Sequence, residues 1–296
     1  MQDHRLALWL LATLTLVWGL NWPIMKIGIE GVDPWTFRAF TTIFGGSAML
    51  ITAVMTGQRI QVPWDQFRLI CLIGPVSIGG WMVFSALGLE YMASGRAAIA
   101  AYTMPLWAVI FARLVLGEPI TWRRSLGLAI GLAGMAVLIG GDLAAIGESP
   151  LGVVFMLCGA VTWGLGTVLF KRAPWRISVL VIIGWQMLVI GVPITVVAFA
   201  VETPSFDYGG WSWFAIAYQI FIGALIGNYA WAKIVTLLPA GIAAISSLII
   251  PVLGVLSGAV VLGEPVTWRE LVALACVVAA LAVVLVRTGG TSREVR

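Results

Sequence analysis

Charge is scarce in this sequence: Asp, Glu, Lys and Arg make up only 10% of its 296 residues, while 61% are apolar. Water-soluble domains carry about 25% charged residues, so a soluble enzyme or soluble binding module is excluded. Histidine is nearly absent. The single one, His4, lies at the N-terminus, which deprives the apolar segments of the base or ligand that Ser-His or His-metal hydrolysis needs. The three cysteines, Cys71, Cys158 and Cys276, fall inside apolar runs without paired spacing, so neither a disulfide framework nor a thiolate metal site is indicated. No GxxxxGK[ST] motif is present to cradle a nucleotide phosphate, which argues against an ATP-driven pump in this chain. No apolar run carries Asp or Glu near its middle. Glu90 and the glutamates of two LGEP motifs lie at run ends, so a buried carboxylate for proton exchange, or for holding a cationic cargo, is missing.

What is abundant is apolar sequence long enough to cross a bilayer. The mean hydropathy is +1.04, and runs of about 20 residues, the length of a membrane-spanning helix, recur from end to end. Ten spans are expected, near 6–26, 35–56, 67–89, 96–116, 122–141, 151–171, 177–200, 211–234, 240–262 and 268–287. The first is expected to remain as a helix, because it contains Trp18, Asn21 and Lys26 and lacks the small-residue cleavage site of a signal peptide. The pI of 9.2 does not indicate a nucleic-acid partner, since the basic residues are scattered through short loops. With the N-terminus placed in the cytoplasm, 13 of the 17 Lys and Arg residues fall on the inner side; Lys26, Arg38, Arg96 and Arg269 fall on the outer side. That asymmetry is the positive-inside pattern, and it predicts cytoplasmic termini and an even number of spans.

The chain also repeats itself. LVLGEPITWRR (114–124) reappears as VVLGEPVTWRE (260–270), WGLNWPIMK (18–26) as WGLGTVLFK (163–171), and SGRAAIAAYTMP (94–105) as AGIAAISSLIIP (240–251), each displaced by 145 or 146 residues. Two five-span units are therefore expected, 1–146 and 147–296. Five is odd, so the second unit enters the membrane from the opposite side, and the loss of one arginine after its LGEP is what that inversion predicts. The expected architecture is all-α: ten transmembrane helices forming two inverted five-helix repeats.

In each LGEP, glycine stands where a helix ends. Glu-Pro is expected to open the next helix, where proline costs no hydrogen bond and glutamate meets the positive helix end. That capping chemistry accounts for the motif without a functional role. Pro105 and Pro251, near mid-span, are expected to kink spans four and nine and free a backbone carbonyl in each. Of fifteen tryptophans, those at span ends, such as Trp64, Trp122, Trp211 and Trp268, fit an interfacial belt. Trp18 and Trp163 are deeper and occupy matching repeat positions, which would set them on opposite walls of one cavity at the repeat interface. Packing against lipid or another helix would equally explain a deep aromatic ring. Asn21 follows Trp18 by one turn, as Thr167 follows Trp163, and polar side chains at depth turn toward the bundle interior.

The WGLN of span one, Pro105 and Pro251, and the doubled LGEP resemble the EamA branch of the drug/metabolite transporter superfamily, over essentially the whole chain. The resemblance implies a secondary transporter rather than an enzyme, in a bacterial inner membrane. The tryptophan content is similar to that of the branch's amino-acid exporters, which implies export of aromatic and other neutral amino acids. The substrate-binding set expected from residues and resemblance together is Trp18, Asn21, Tyr102, Trp107, Trp163, Asn228 and Ser246. These form a cavity of aromatic walls and neutral polar points suited to a small amphipathic solute. The expected partners are that small molecule and the lipid bilayer, with no cofactor, metal or nucleic acid and a monomer as the working unit. A non-transporting structural membrane protein, or a carrier of another metabolite or drug, are the competing readings.

Overall fold

The computed structural model describes residues 2–91, 101, 103–139, 150–204, 206–262 and 268–285. Among them every regular element is helical and no strand occurs, as a lipid-embedded chain requires when backbone groups must be satisfied within each segment. The first half contributes α1 (Gln2–Ile29), α2 (Pro34–Met55), α3 (Trp64–Gly74), a π-helical segment Pro75–Gly79, α4 (Gly80–Tyr91), α5 (Met104–Leu116) and α6 (Trp122–Ile139). The second half contributes α7 (Pro150–Arg172), α8 (Val179–Val201), α9 (Gly210–Tyr218), a π-helical segment Gln219–Asn228, α10 (Tyr229–Leu237), α11 (Ala240–Ser246), α12 (Ile249–Leu262) and α13 (Trp268–Leu285). Six of the described helical stretches are long and apolar enough to cross a membrane, and Met104–Leu116 and Val252–Val261 are shorter apolar helices. The side chains of Lys26 and Glu90, Tyr102, the second LGEP beyond Leu262, and Arg287, Arg293 and Arg296 lie outside the described residues.

The packing exchanges elements between the halves. α1 lies against α12 and against the α9–π–α10 rod; α7, its counterpart, lies against α5 and the α3–π–α4 rod. α2 pairs with α8, and α6 with α13, so each helix meets either its own repeat partner or an element whose partner makes the mirror contact. The glycines of the two WGL motifs explain how this fits. A methyl group at Gly19 would stand 2.7 Å from Leu253 Cβ, and one at Gly164 would stand 2.9 Å from Trp107 Cβ and from Ala108 N. Leu253 and Trp107 are themselves 146 residues apart. The motif thus turns a tryptophan inward and, one residue later, lets the opposite half approach to backbone distance.

Two local expectations are corrected. Pro105 and Pro251 do not kink continuous helices. α11 ends at Ser246 and a turn at 247–248 precedes α12, with Pro251 in its first turn; α5 starts after a turn at Thr103, with Pro105 in its first turn. Proline without an N–H fits a first turn at no cost, so the chain breaks instead of bending. In the first LGEP, Gly117 is left-handed at φ 69° and caps α5 as expected. Glu118, however, does not cap the helix that follows, which begins only at Trp122. Its Oε1 accepts from the backbone N–H of Ala240 at 2.9 Å, capping α11 in the other half, while Oε2 pairs with Arg124 at 3.1 Å. The third and eighth spans run continuously as Trp64–Gly88 and Gly210–Leu237; each contains a π-helical stretch, and Pro75–Gly79 shifted by 146 falls inside Gln219–Asn228. A π segment widens the helix and commonly marks a functional position.

At the end where α5 meets α11, Lys171 braces the second half internally and Arg172 joins the two halves. Lys171 Nζ donates to the carbonyls of Val235, at 2.9 Å, and Leu238 at the C-terminus of α10, and Arg172 donates to Val115 O at 3.2 Å. At the other end Glu202, closing α8, accepts from the backbone N–H groups of Trp35 and Thr36 at 2.9 and 2.8 Å, capping α2.

Candidate functional site

Between the halves lies a cavity of about 130 Å³, room for on the order of ten waters. A smaller compartment of about 30 Å³ adjoins it. Ile78, Trp163, Asn228 and Trp231 line both and form the neck between them. The small compartment runs past Thr167 and Phe170 to Val235, toward the Lys171 contacts. The larger one reaches Arg38 and Met25, toward the opposite end of α1 and α2. Together they trace a path along the bundle axis, interrupted by indole rings.

The rings at the neck touch one another. Trp18 and Trp163 have centroids 5.7 Å apart at 65°, each is 6.0 Å from Trp231, and Trp81 is 6.0 Å from Trp163. The matching tryptophans therefore meet across the repeat interface instead of standing on separated walls. Trp18 is fixed by its Nε1, which donates to Gly223 O at 3.3 Å in the second π segment. A side chain at Gly227 would clash, since its Cβ would lie 2.3 Å from Trp18 Nε1.

Of the expected set, Trp18, Asn21, Trp163 and Asn228 line the larger compartment. Asn21 Oδ1 is buried there with no hydrogen-bond partner, and Asn228 Nδ2 has only a weak contact to Met187 Sδ at 3.7 Å. Trp107 lines neither compartment: it packs on α7 beside Gly164 and stacks with Phe111 at 6.5 Å. Ser246 is fully buried with an unpartnered Oγ, and it is Ser247, in the turn, that reaches the cavity. Tyr102 lies outside the described residues. Gln186 is fully buried, with neither amide atom bonded to protein, and lines the small compartment.

Several lining residues escaped the sequence reading. Met25, Met82, Met104, Met156 and Met187 give the larger compartment a soft, adaptable apolar wall. Gln219 adds an amide at the start of the π segment. The main omission is Arg38. It was counted with the outer-side charges because it lies four residues into its helix, yet it is only 6% exposed and faces the cavity. The expectation of purely neutral polar points is corrected accordingly: the wall carries one cation and no carboxylate among its described lining residues. The signal was present in the three-residue spacing of Arg38 and Thr41, which puts a charge and a hydroxyl on one face.

The EamA-like transporter family matches this chain twice, over residues 5–140 and 150–286. The uncharacterised transporter YvbV of Bacillus subtilis (strain 168) is 28% identical over 284 residues, covering 93% of this chain and 90% of that protein. The uncharacterised inner membrane transporter YedA of Escherichia coli (strain K12) is 27% identical, covering 94% and 90%. A probable amino-acid metabolite efflux pump of Salmonella typhimurium (strain LT2) is 23% identical, covering 90% of each. One solved crystal structure superposes with a TM-score of 0.82 over 95% of this chain and 97% of that chain, at 23% identity, which shows the shared fold.

Proposed function

The chain belongs to the EamA-like transporter family, a multi-pass membrane transporter, and on that premise we propose that it exports small amphipathic solutes, above all aromatic and other neutral amino acids, across the bacterial inner membrane. The observation that carries this reading is the cavity at the repeat interface, with its tryptophan neck, methionine wall and few polar atoms. Aromatic rings present large, rigid contact area to an apolar side chain, while Asn21 and Asn228 offer hydrogen bonds to its polar end. The amino-acid metabolite pump among the relatives, and the similarity in tryptophan content to the amino-acid exporter YddG, favour the same cargo.

In this reading ten spans form two inverted repeats with both termini in the cytoplasm, and the halves rock about the breaks before α5 and at 247–248. Rocking opens first one end of the path and then the other while the neck stays at the pseudo-symmetry axis. In this reading the Glu118–Ala240 and Arg172–Val115 contacts cross between the halves at the cytoplasmic end and part when it opens. Transport is passive. Coupling requires a group whose charge or ligation changes as the carrier turns, and no carboxylate lines the described cavity. The methionines support a second reading, a wider metabolite range through the same cavity, because such walls repack around differently shaped cargo.

The test is solute counterflow in liposomes holding the purified protein, with pH and Na⁺ equal on both sides. Internal unlabelled phenylalanine should drive uptake of external labelled phenylalanine, whereas internal putrescine or glucose should not. Accumulation that instead requires an imposed pH or Na⁺ step would overturn the passive mechanism, and counterflow by putrescine or glucose alone would overturn the cargo.

A further inference from the structure

Arg38 sits in the second turn of α2, where a long cationic side chain near a helix end ordinarily snorkels to water. This one does not: 6% of it is exposed, and the side chain turns into the cavity. A guanidinium carries five N–H donors and keeps its charge in any protein environment. Arg38 Nη2 donates to Ser85 Oγ on α4 at 3.2 Å. Among the described residues no carboxylate pairs with it, and none lines the cavity. Among the described residues the buried charge is thus paired to one hydroxyl, and a charge removed from water is retained only where something compensates it. A purely structural arginine in this position would be expected to hold a carbonyl cluster or an acid, as Lys171 holds the end of α10.

We propose that Arg38 is the anion anchor of the cavity, so that the transported class is small monocarboxylates with an apolar side group, in which the carboxylate is required and the amino group is dispensable. A carboxylate presents two oxygens in the plane that the guanidinium fork matches. The cation then gains the counter-charge that the described lining residues do not supply. An ammonium group finds no acid among the described lining residues, only neutral acceptors, of which Asn21 Oδ1 is the buried unpartnered one. Amino acids are admitted by their carboxylate, and the desamino and 2-oxo acids of the same shape are admitted with them. Amines, amides and esters of those acids are turned away. The proposal rests on the cavity being the substrate site but not on the direction or coupling of transport.

Binding to the detergent-solubilised full chain tests it without depending on transport, read as thermal stabilisation by L-phenylalanine, 3-phenylpropionate, phenethylamine and phenylalanine amide. Phenylalanine and 3-phenylpropionate should stabilise at concentrations within about tenfold of each other, and the amine and amide should need at least tenfold more, the loss expected for one charge-assisted bond. Arg38→Gln should abolish the preference for the carboxylates, and Arg38→Lys should restore it in part, since the charge returns without the fork. Stabilisation by phenethylamine equal to that by phenylpropionate, no response to either carboxylate, or an Arg38→Gln protein that keeps the preference would each overturn the anchor. Counterflow of phenylalanine in the same preparation separates the two claims. If counterflow persists while carboxylate selectivity is missing, the anchor fails and the transport reading stands; selective binding without counterflow has the opposite meaning.

Discussion

Replacing Trp163 with alanine removes the ring on which both compartments depend. Its indole touches Trp18, Trp81 and Trp231 at centroid separations of 5.7, 6.0 and 6.0 Å and lines the cavity on both sides of the neck. A solute lying on one face of an indole is shielded over about 60 Å², and at about 25 cal/mol per Å² this is worth about 1.5 kcal/mol, an approximately tenfold loss of apparent affinity on truncation. Each aromatic pair adds about 0.5–1.5 kcal/mol of geometry-specific contact, so the neck should also loosen and the closed state leak. Trp163→Phe retains a ring and should lose about threefold, from the smaller face. Trp211, 72% exposed on the bundle surface, supplies the control: Trp211→Ala should change affinity by less than about twofold. The assay is counterflow of labelled phenylalanine against its concentration, at matched membrane content of each variant. Equal, mild effects from Trp163→Ala and Trp211→Ala would remove the reason for placing the site at the repeat interface.

Glu118→Ala should cost about 1–2 kcal/mol by uncapping α11, seen as a lower midpoint of thermal unfolding in detergent; Glu118→Gln keeps an acceptor for Ala240 and should lose less, and equal losses would argue against the cap. Gly164→Ala places a methyl 2.9 Å from the backbone of α5 and should destabilise by about 1–3 kcal/mol through overpacking, whereas an unchanged midpoint would mean the halves are not in close contact there. For topology, single cysteines at Gln61 and Thr203, in a background without Cys71, Cys158 and Cys276, should label differently from outside intact cells. Thr203→Cys should react and Gln61→Cys should not; the reverse would invert every loop.

The membrane class was legible because lipid leaves no freedom: a chain with so few charges and such long apolar runs has only helices available to it. The repeat was legible because its WGL and LGEP copies serve the same mechanical purposes twice. What could not be read was which element each copy would serve. Glu118 looked like a cap for the next helix in sequence and caps α11 instead, because a capping carboxylate is satisfied by any exposed helix N-terminus within reach. Polarity at membrane depth marked Ser246, but the turn at 247–248 brings its neighbour Ser247 to the cavity instead. Trp107 fills the space opposite Gly164, a tertiary choice that periodicity does not encode. A count of charges by nearest helix end places Arg38 at one end of α2 but cannot tell a side chain that reaches water from one that turns inward, as Arg38 does.

The central claim is that one site, at the tryptophan neck, is reached alternately from the two sides of the membrane. A single cysteine at Asn228, which lines both compartments, measures this directly through its reaction with a membrane-impermeant thiol reagent added to either face of oriented vesicles. In a transport-competent Asn228→Cys protein, the account predicts labelling from both faces, slowed from both by phenylalanine. Labelling from one face alone, or labelling indifferent to the solute, would contradict it.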